Sequence, residues 1–371
     1  MLRGISTTLP VVLLICSAAR AITFDAHVIA ADLKDGYQVI AADLNGDGKL
    51  DLIVVDSGNT DLFWYENPSW TRHLISSGMP HQINVAAKDI DGDGIPEIAI
   101  AYEFSSTPKD SKGIVAILHH NGEHSGDPRQ PWTRQEIDRL PASHRLRWAK
   151  IGGKDVLINA PLAAVTSAPP NYGGSVPLVL YRPGEWKREW ITDANIGVQH
   201  GIFVSPHPSG DHILTASFSG IDHYQLTAGK WVRREVNRGD PRPCPKCGAG
   251  DVTVGARESI ASIEPWHGNQ VIVYDEADHW RSRHVLDDTL ENGHTILFAD
   301  FFRTGHDAIV AGYRGAGGGV RLYQQVKGTW SKSVIESGTP AASCTVAPLT
   351  RAKPIDLICV GGAKLVVYSP R

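Results

Sequence analysis

Four histidines stand at matching places in this chain of 371 residues: His81 in Pro-His-Gln-Ile-Asn-Val, His144 in Ser-His-Arg-Leu-Arg-Trp, His200 in Gln-His-Gly-Ile-Phe-Val and His294 in Gly-His-Thr-Ile-Leu-Phe. Each follows a Trp-led segment by a few residues and opens a short apolar stretch. Imidazole titrates near neutrality and its nitrogens ligate borderline metals such as zinc, so rings gathered at one place could shuttle protons or hold a divalent ion. The plainer reading is that each ring caps a strand start by bonding backbone or water. At the corresponding places three other copies have Tyr37, the Gly250-Asp251 segment and Cys344. Tyr37 suits a proton donor or a platform for a sugar ring. Arg145 and Arg147 lie beside His144, and Asn84 follows His81. The planar guanidinium fork suits a carboxylate or enolate; the plain alternative is solvated charge. His119, His120, His207, His212, His223 and His306 fall in later strands or turns and read as surface.

A second chemistry is written in two acidic loops, Asp43-Leu-Asn45-Gly-Asp47-Gly48-Lys-Leu-Asp51 and Asp89-Ile-Asp91-Gly-Asp93-Gly94-Ile-Pro-Glu97. Oxygens at positions 1, 3, 5 and 9, a carbonyl at 7 and Gly at 6 for the sharp turn match the first half of a calcium loop. Strands rather than helices flank both, so neither is an EF-hand, and an Asx-rich turn without metal is the bland alternative. The corresponding loops at 151–155, 205–211 and 300–307 lack the acidic series. Calcium here is expected to be structural.

Cys244-Pro-Lys-Cys247 leaves three readings open: a disulfide stapling an insert, half of a zinc site completed by a histidine or Cys344, or a redox pair. Cys344 and Cys359 form the other candidate disulfide.

The elements that would position these groups are visible as a repeat. Trp70-Thr-Arg-His-Leu-Ile75 recurs as segments led by Trp132, Trp186, Trp231, Trp280 and Trp330, and Phe24-Asp-Ala-His-Val-Ile29 is a seventh copy with Phe in the lead. The Trp copies are 45 to 62 residues apart. Another strand also recurs seven times: Leu62-Phe-Trp-Tyr65, Val115-Ala-Ile-Leu118, Leu178-Val-Leu-Tyr181, Ile221-Asp-His-Tyr224, Val271-Ile-Val-Tyr274, Val320-Arg-Leu-Tyr323 and Leu365-Val-Val-Tyr368. Period-two alternation makes these strands, and the spacing suits a four-stranded blade. The sequence therefore predicts an all-β fold, a seven-bladed β-propeller of antiparallel blades over residues 22–371, with Phe24 to Ile29 closing the last blade. Equivalent strand starts in a closed ring converge on its axis, and there the histidines would line a funnel.

Arg3, the apolar run Leu9 to Cys16 and Ala19-Arg20-Ala21 read as a signal peptide over residues 1–21, predicting a secreted or periplasmic protein. No later apolar run is long enough for a membrane helix. A formal charge of −4 gives no positive field for nucleic acid.

The acidic loops and the Asp-Leu-Ile-Val strand after the first resemble the FG-GAP/VCBS repeats, many of which are adhesive propellers. Together with His81, His144, His200 and His294 they also make the chain similar to the propeller domain of the aldos-2-ulose dehydratases and, less closely, to secreted propeller polysaccharide lyases. Those dehydratases continue into cupin-like domains, so the resemblance concerns the propeller and its elimination chemistry. It implies a carbon-oxygen lyase acting on an oxidised sugar or a uronate-containing saccharide. His81 and His144 would transfer protons, with Arg147 and Tyr37 beside them, and His200 and His294 would bind metal or substrate. The FG-GAP resemblance implies the alternative, a calcium-stabilised propeller that binds glycan or protein without turnover.

Overall fold

The computed structural model describes residues 22–120, 126–256, 258–350 and 354–371. The proposed signal segment, 1–21, lies outside the described residues. Seven sheets of four antiparallel strands form a ring. Their inner strands, in chain order, are Gly36–Ala42, Asn84–Lys88, Ser143–Ile151, Gln199–Ser205, Asp251–Val254, Gly293–Ala299 and Ser343–Ala347, and these define blades 1 to 7. Neighbouring inner strands pack against each other around the ring. Phe24–Ala30 pairs with Lys364–Pro370 as the outer strand of blade 7, so the N-terminal strand closes the ring as expected. Closure removes the open edges on which a free sheet would aggregate. Among the described residues no helix is long and apolar enough to cross a membrane.

The recurring Val/Leu/Tyr strand is the third strand of each blade, and its alternation explains the core. Six of the seven copies put an apolar residue one place before the final Tyr or Leu: Trp64, Ile117, Leu180, Val273, Leu322 and Val367, all buried. The final tyrosines are buried as well, and a carboxylate or amide takes most of their hydroxyls: Tyr224 donates to Asn195 Oδ1 at 2.7 Å, Tyr274 to Glu264 at 2.6 Å and Tyr323 to Asp287 at 2.7 Å. A buried hydroxyl needs such a partner, since leaving it unmade costs about 1–3 kcal/mol.

Each blade is a meander, so the start of its inner strand and the turn between its second and third strands share one end of the ring, here the upper end. The turn leaving the inner strand lies at the lower end. Both acidic loops are turns of that second kind, so they sit at the opposite end from the predicted histidine ring.

Candidate functional site

Four inner strands carry an irregularity at their second residue. Pairing skips between Gly36 and Gln38, Ser143 and Arg145, Gln199 and Gly201, and Gly293 and Thr295. The skipped residues are Tyr37, His144, His200 and His294. A bulge leaves one residue out of the ladder and re-aims its side chain, and here all four turn toward the axis. Their rings close a circuit: centroids lie 5.0 Å apart for His144 and His200, 4.9 Å for His200 and His294, 5.2 Å for His294 and Tyr37, and 6.4 Å for Tyr37 and His144.

His81 does not join them. Its blade pairs in register from Asn84 without a bulge, and His81 lies in the loop before the strand, exposed, at a backbone φ of 52°. Its carbonyl accepts from Phe104 N at 3.2 Å, and Phe104 packs on His144, so His81 marks the rim of the cluster. The alignment of apolar residues behind it is shifted by two: Gln38 bonds Val85 N, and Asn84 bonds Leu146 N, which makes Ile83 the counterpart of Tyr37 and His144. Cys344 also fails to turn inward; it pairs in register with Cys359 and is bonded to it. Cys244 is bonded to Cys247, which leaves neither sulfur as a thiolate donor for zinc.

The cluster is a packed layer and not the open funnel expected. His144, His200 and His294 are each 2% exposed. Trp266 and His267, from the turn between the second and third strands of blade 5, cover it, with the His267 ring 5.0 Å from both His200 and His294. Arg314, from the matching turn of blade 6, sits 3.5 Å from His267 Nε2 and 5.9 Å from the Tyr37 centroid. His267 and Arg314 escaped the sequence reading because they lie on turns, outside the repeated strands. The one signal was an aromatic and an imidazole side by side in Pro265-Trp266-His267-Gly268.

Hydrogen bonds settle how the rings are oriented. His294 Nδ1 donates to the Ala342 carbonyl at 2.5 Å and His200 Nδ1 to the Gly250 carbonyl at 3.0 Å. Each therefore presents a bare Nε2 lone pair to the interior. Tyr37 Oη donates to His294 Nε2 at 3.3 Å and accepts from His144 Nε2 at 3.1 Å, while Arg145 Nη2 donates to His200 Nε2 at 3.2 Å. His144 Nδ1 is buried with no partner among the described residues. Burial, reinforced by the Arg145 charge at all three and by Arg314 at His144 and His294, holds His144, His200 and His294 well below the usual imidazole range, and burial with Arg314 and Arg145 lowers His267 to about 3. All four are neutral.

Beneath the layer an axial cavity of about 350 Å³ runs between the inner strands. Tyr37, His294, Arg145, Arg147, Asn84 and Asp251 are among the residues that line it. Burial, opposed by the charges of Arg145 and Arg147, raises the Asp251 carboxyl to about 6. Burial lowers Arg147 to about 10; its Nη1 donates to Asn84 Oδ1 at 3.2 Å and to the Leu146 carbonyl at 2.7 Å. The chain makes room for Asp251 with Gly201: a Cβ there would come within 2.8 Å of the Asp251 Cα. Where three blades offer a bulged imidazole, blade 5 offers a carboxylate within the field of the Arg145 and Arg147 charges.

Two donor sets test against metal. One nitrogen each of His200, His267 and His294 lies within 4.8 Å of the others. The two carbonyl-fixed tautomers are the usual second shell of metal-binding histidines, so the set fits a borderline divalent ion, with Arg145 competing for the His200 lone pair. In the second acidic loop Asp89, Asp91 and Glu97 bring oxygens within 4.8 Å of each other, a hard set that fits calcium. Asp93 pairs with His120 at 2.6 Å, and His119 lies 3.7 Å from Glu97, so these two histidines belong to that loop and not to open surface. In the first loop Asp43 accepts from Gly46 and Gly48, Asn45 accepts from Asp47 N, Asp47 pairs with Lys49 at 2.7 Å, and Asp51 accepts from Leu44 and Asn67.

Comparison with known proteins agrees with the resemblance read from the sequence. Residues 43–100 match the FG-GAP-like repeat, and residues 112–277 match the β-propeller domain of aldos-2-ulose dehydratase. Aldos-2-ulose dehydratase of Phanerodontia chrysosporium is 25% identical over 346 residues, covering 79% of this chain; the chain spans 38% of that enzyme's length. Among solved structures, the RRP9 WD40 repeats superpose with a TM-score of 0.62 at 10% identity over 94% of this chain and 98% of that one. A catalytically inactive virginiamycin B lyase from Staphylococcus aureus with quinupristin gives 0.58 at 9% over 94% and 99%. At such identities these two show the fold alone.

Proposed function

We propose that this chain is a secreted carbohydrate lyase of the dehydratase kind, acting by β-elimination on an oxidised sugar or a uronate-containing saccharide at the upper end of the axial cavity. The observation that carries this reading is the meeting of a base, an acid and two cations on one cavity: Asp251, Tyr37 held by His144 Nε2–H, and Arg145 with Arg147. The 25% identity to aldos-2-ulose dehydratase supports the substrate class.

β-Elimination needs a group to take a proton beside a carbonyl or carboxylate, positive charge for the resulting enolate, and an acid for the departing oxygen. The Asp251 carboxylate, raised to about 6, is ionised at neutral pH yet basic enough to take the C–H proton. That C–H electron pair becomes the enolate, whose oxygen faces Arg145 and Arg147. As the enolate collapses, the carbon–carbon double bond forms and the β C–O bond breaks. Tyr37 Oη gives its proton to the leaving oxygen; the phenolate left behind accepts from His144 Nε2–H, 3.1 Å away, and regains its proton from water as the product leaves, while Asp251 returns its own to solvent. His200, His267 and His294 would hold a divalent ion such as zinc, which would act as a Lewis acid on the substrate oxygen. Calcium in the loops beginning at Asp43 and Asp89 stiffens the lower end.

The test is turnover of keto-sugars, 1,5-anhydrofructose among them, and of uronate oligosaccharides, read as new ultraviolet absorbance of an unsaturated product. Wild-type protein converts one of these, and Asp251→Asn and Tyr37→Phe abolish conversion while the fold persists. Conversion unchanged in both variants overturns the assignment.

One observation favours a second reading, a calcium-stabilised propeller that binds glycan or protein without turnover: the three bulged histidines are 2% exposed and roofed by Trp266 and His267. Saturable glycan binding with no unsaturated product from any of these sugars would establish it.

A further inference from the structure

A second constellation lies at the lower end, on the seam between blades 4 and 5. Of the seven third strands, only that of blade 4 has a polar residue one place before its final Tyr or Leu: His223 stands where the others have Trp64, Ile117, Leu180, Val273, Leu322 and Val367. Register places its neighbours. His223 pairs with Leu214 on one side and Arg234 on the other, and His212 lies two residues before Leu214 on the same face. By the same register the His212 position is Val156 in blade 3 and Ala308 in blade 6, but Asp51, Glu97, Ser259 and Asp356 in blades 1, 2, 5 and 7, so the change peculiar to blade 4 is His223. At the His223 position a side chain that is apolar in the other six blades has become an imidazole, and a cavity of about 420 Å³ lies beside it.

The lining is organised. His207 stacks on His212 with centroids 4.2 Å apart and planes at 19°, and His212 meets the edge of His223 at 4.7 Å. From blade 5, Trp280 contributes an indole whose centroid is 5.0 Å from the Arg234 guanidinium carbon, and its Nε1 is committed to the Glu258 carbonyl at 2.7 Å. Leu214 floors the cavity and Val232, 46% exposed, edges it. Among the described residues the side chains of His212, His223 and Arg234 have no hydrogen-bonded partner, and Arg234 forms no ion pair with Glu258, which also lines the cavity. The cleft therefore offers an exposed guanidinium and two imidazoles whose hydrogen-bonding groups are free to take a ligand.

We propose that this seam is a second ligand site, for a small organic carboxylate whose remaining face is apolar or rich in C–H groups. The carboxylate takes the Arg234 fork and the free imidazole nitrogens; the C–H face lies on Trp280 and Val232. The volume is in the range of small-molecule sites, roughly 300–1,000 Å³. Sugar acids and aromatic acids share this chemistry. Burial and the neighbouring His212, Arg234 and His207 charges hold His223 at about 4, while Asp211 and Glu258 pull His212 the other way. A bound carboxylate raises both imidazoles, so it binds together with protons and tighter as pH falls toward the usual imidazole range.

Calorimetric titration of the whole protein with glucuronate and with benzoate tests this, with glucose and inorganic phosphate as controls. Binding of either acid with Kd at or below about 1 mM is expected, and which acid binds identifies the source. Arg234→Gln weakens it at least tenfold. His223→Leu, which restores the apolar residue of the other six blades and so keeps the fold, does the same. Arg147→Gln, on the axial cavity, leaves it unchanged, so the outcome is independent of the proposed lyase. Absence of binding by both acids overturns the proposal, as does equal binding of phosphate or glucose, or loss of binding in Arg147→Gln.

Discussion

Tyr37 donates its hydroxyl proton to Nε2 of His294, 3.3 Å away and 257 residues further along the chain. The geometry rests on a carbonyl: Ala342 O takes the Nδ1 proton of His294, which leaves Nε2 an acceptor. Tyr37→Phe removes that donor and leaves a buried nitrogen unpaired, at a cost of about 1–3 kcal/mol. Denaturant unfolding should show this loss. Turnover should fall by about 10²-fold or more, since the acid for the leaving oxygen is gone.

Asp251 sets the acid limb of the proposed reaction. With its carboxyl raised to about 6, kcat/KM should climb as pH rises through about 6 and then level off. Asp251→Asn should remove the limb with the activity, and Arg147→Gln, which takes away a charge that favours the carboxylate, should move it to higher pH. A profile measured between about pH 5 and 8 checks both.

Stability should fall in mild acid. His144, His200 and His294 are held far below their free value of 6.5, so their contribution is complete above that pH and is lost as pH falls below it, because the unfolded chain takes up protons that the folded one refuses. Each such ring adds a slope of about 1.4 kcal/mol per pH unit. Asp51 and Asp251, both raised to about 6, act in the opposite sense below that value. His144→Phe isolates one imidazole: its unfolding free energy plotted against pH should be shallower than wild type by one such slope.

Metal should follow two separate donor sets. His267→Ala should lose bound zinc after dialysis, read by elemental analysis, with calcium retained. Asp89→Ala should lose the calcium of its own loop while keeping zinc and the calcium of the loop beginning at Asp43. Calcium should also raise the melting midpoint most above pH about 6, where Asp51, pushed up chiefly by burial against the Asn67 and Leu44 N–H bonds, is ionised and can ligate the ion. At a hundredfold excess over Kd the gain is about 2.7 kcal/mol.

The ring of blades was legible in the sequence because a β-propeller repeats one local pattern, and period-two alternation is a property of neighbouring residues. The Trp-led strands, the Val/Leu/Tyr strands and closure by Phe24 all follow from it. So did the candidacy of Tyr37, His144, His200 and His294, and the acidic loops beginning at Asp43 and Asp89.

Which of those residues meet was decided by tertiary structure. A bulge at the second residue of an inner strand turns a side chain to the axis, and nothing local distinguishes Pro-His81-Gln, which has none, from Ser-His144-Arg, which has one. His267 and Arg314 come from turns that carry no repeat, and only closure of the ring brings them over His200 and Tyr37. Depth was also beyond the sequence: the imidazoles are 2% exposed because blades 5 and 6 fold their upper turns across the axis. Alternation tells which face of a strand a residue occupies. How far seven such faces close upon one another depends on contacts between residues hundreds of positions apart.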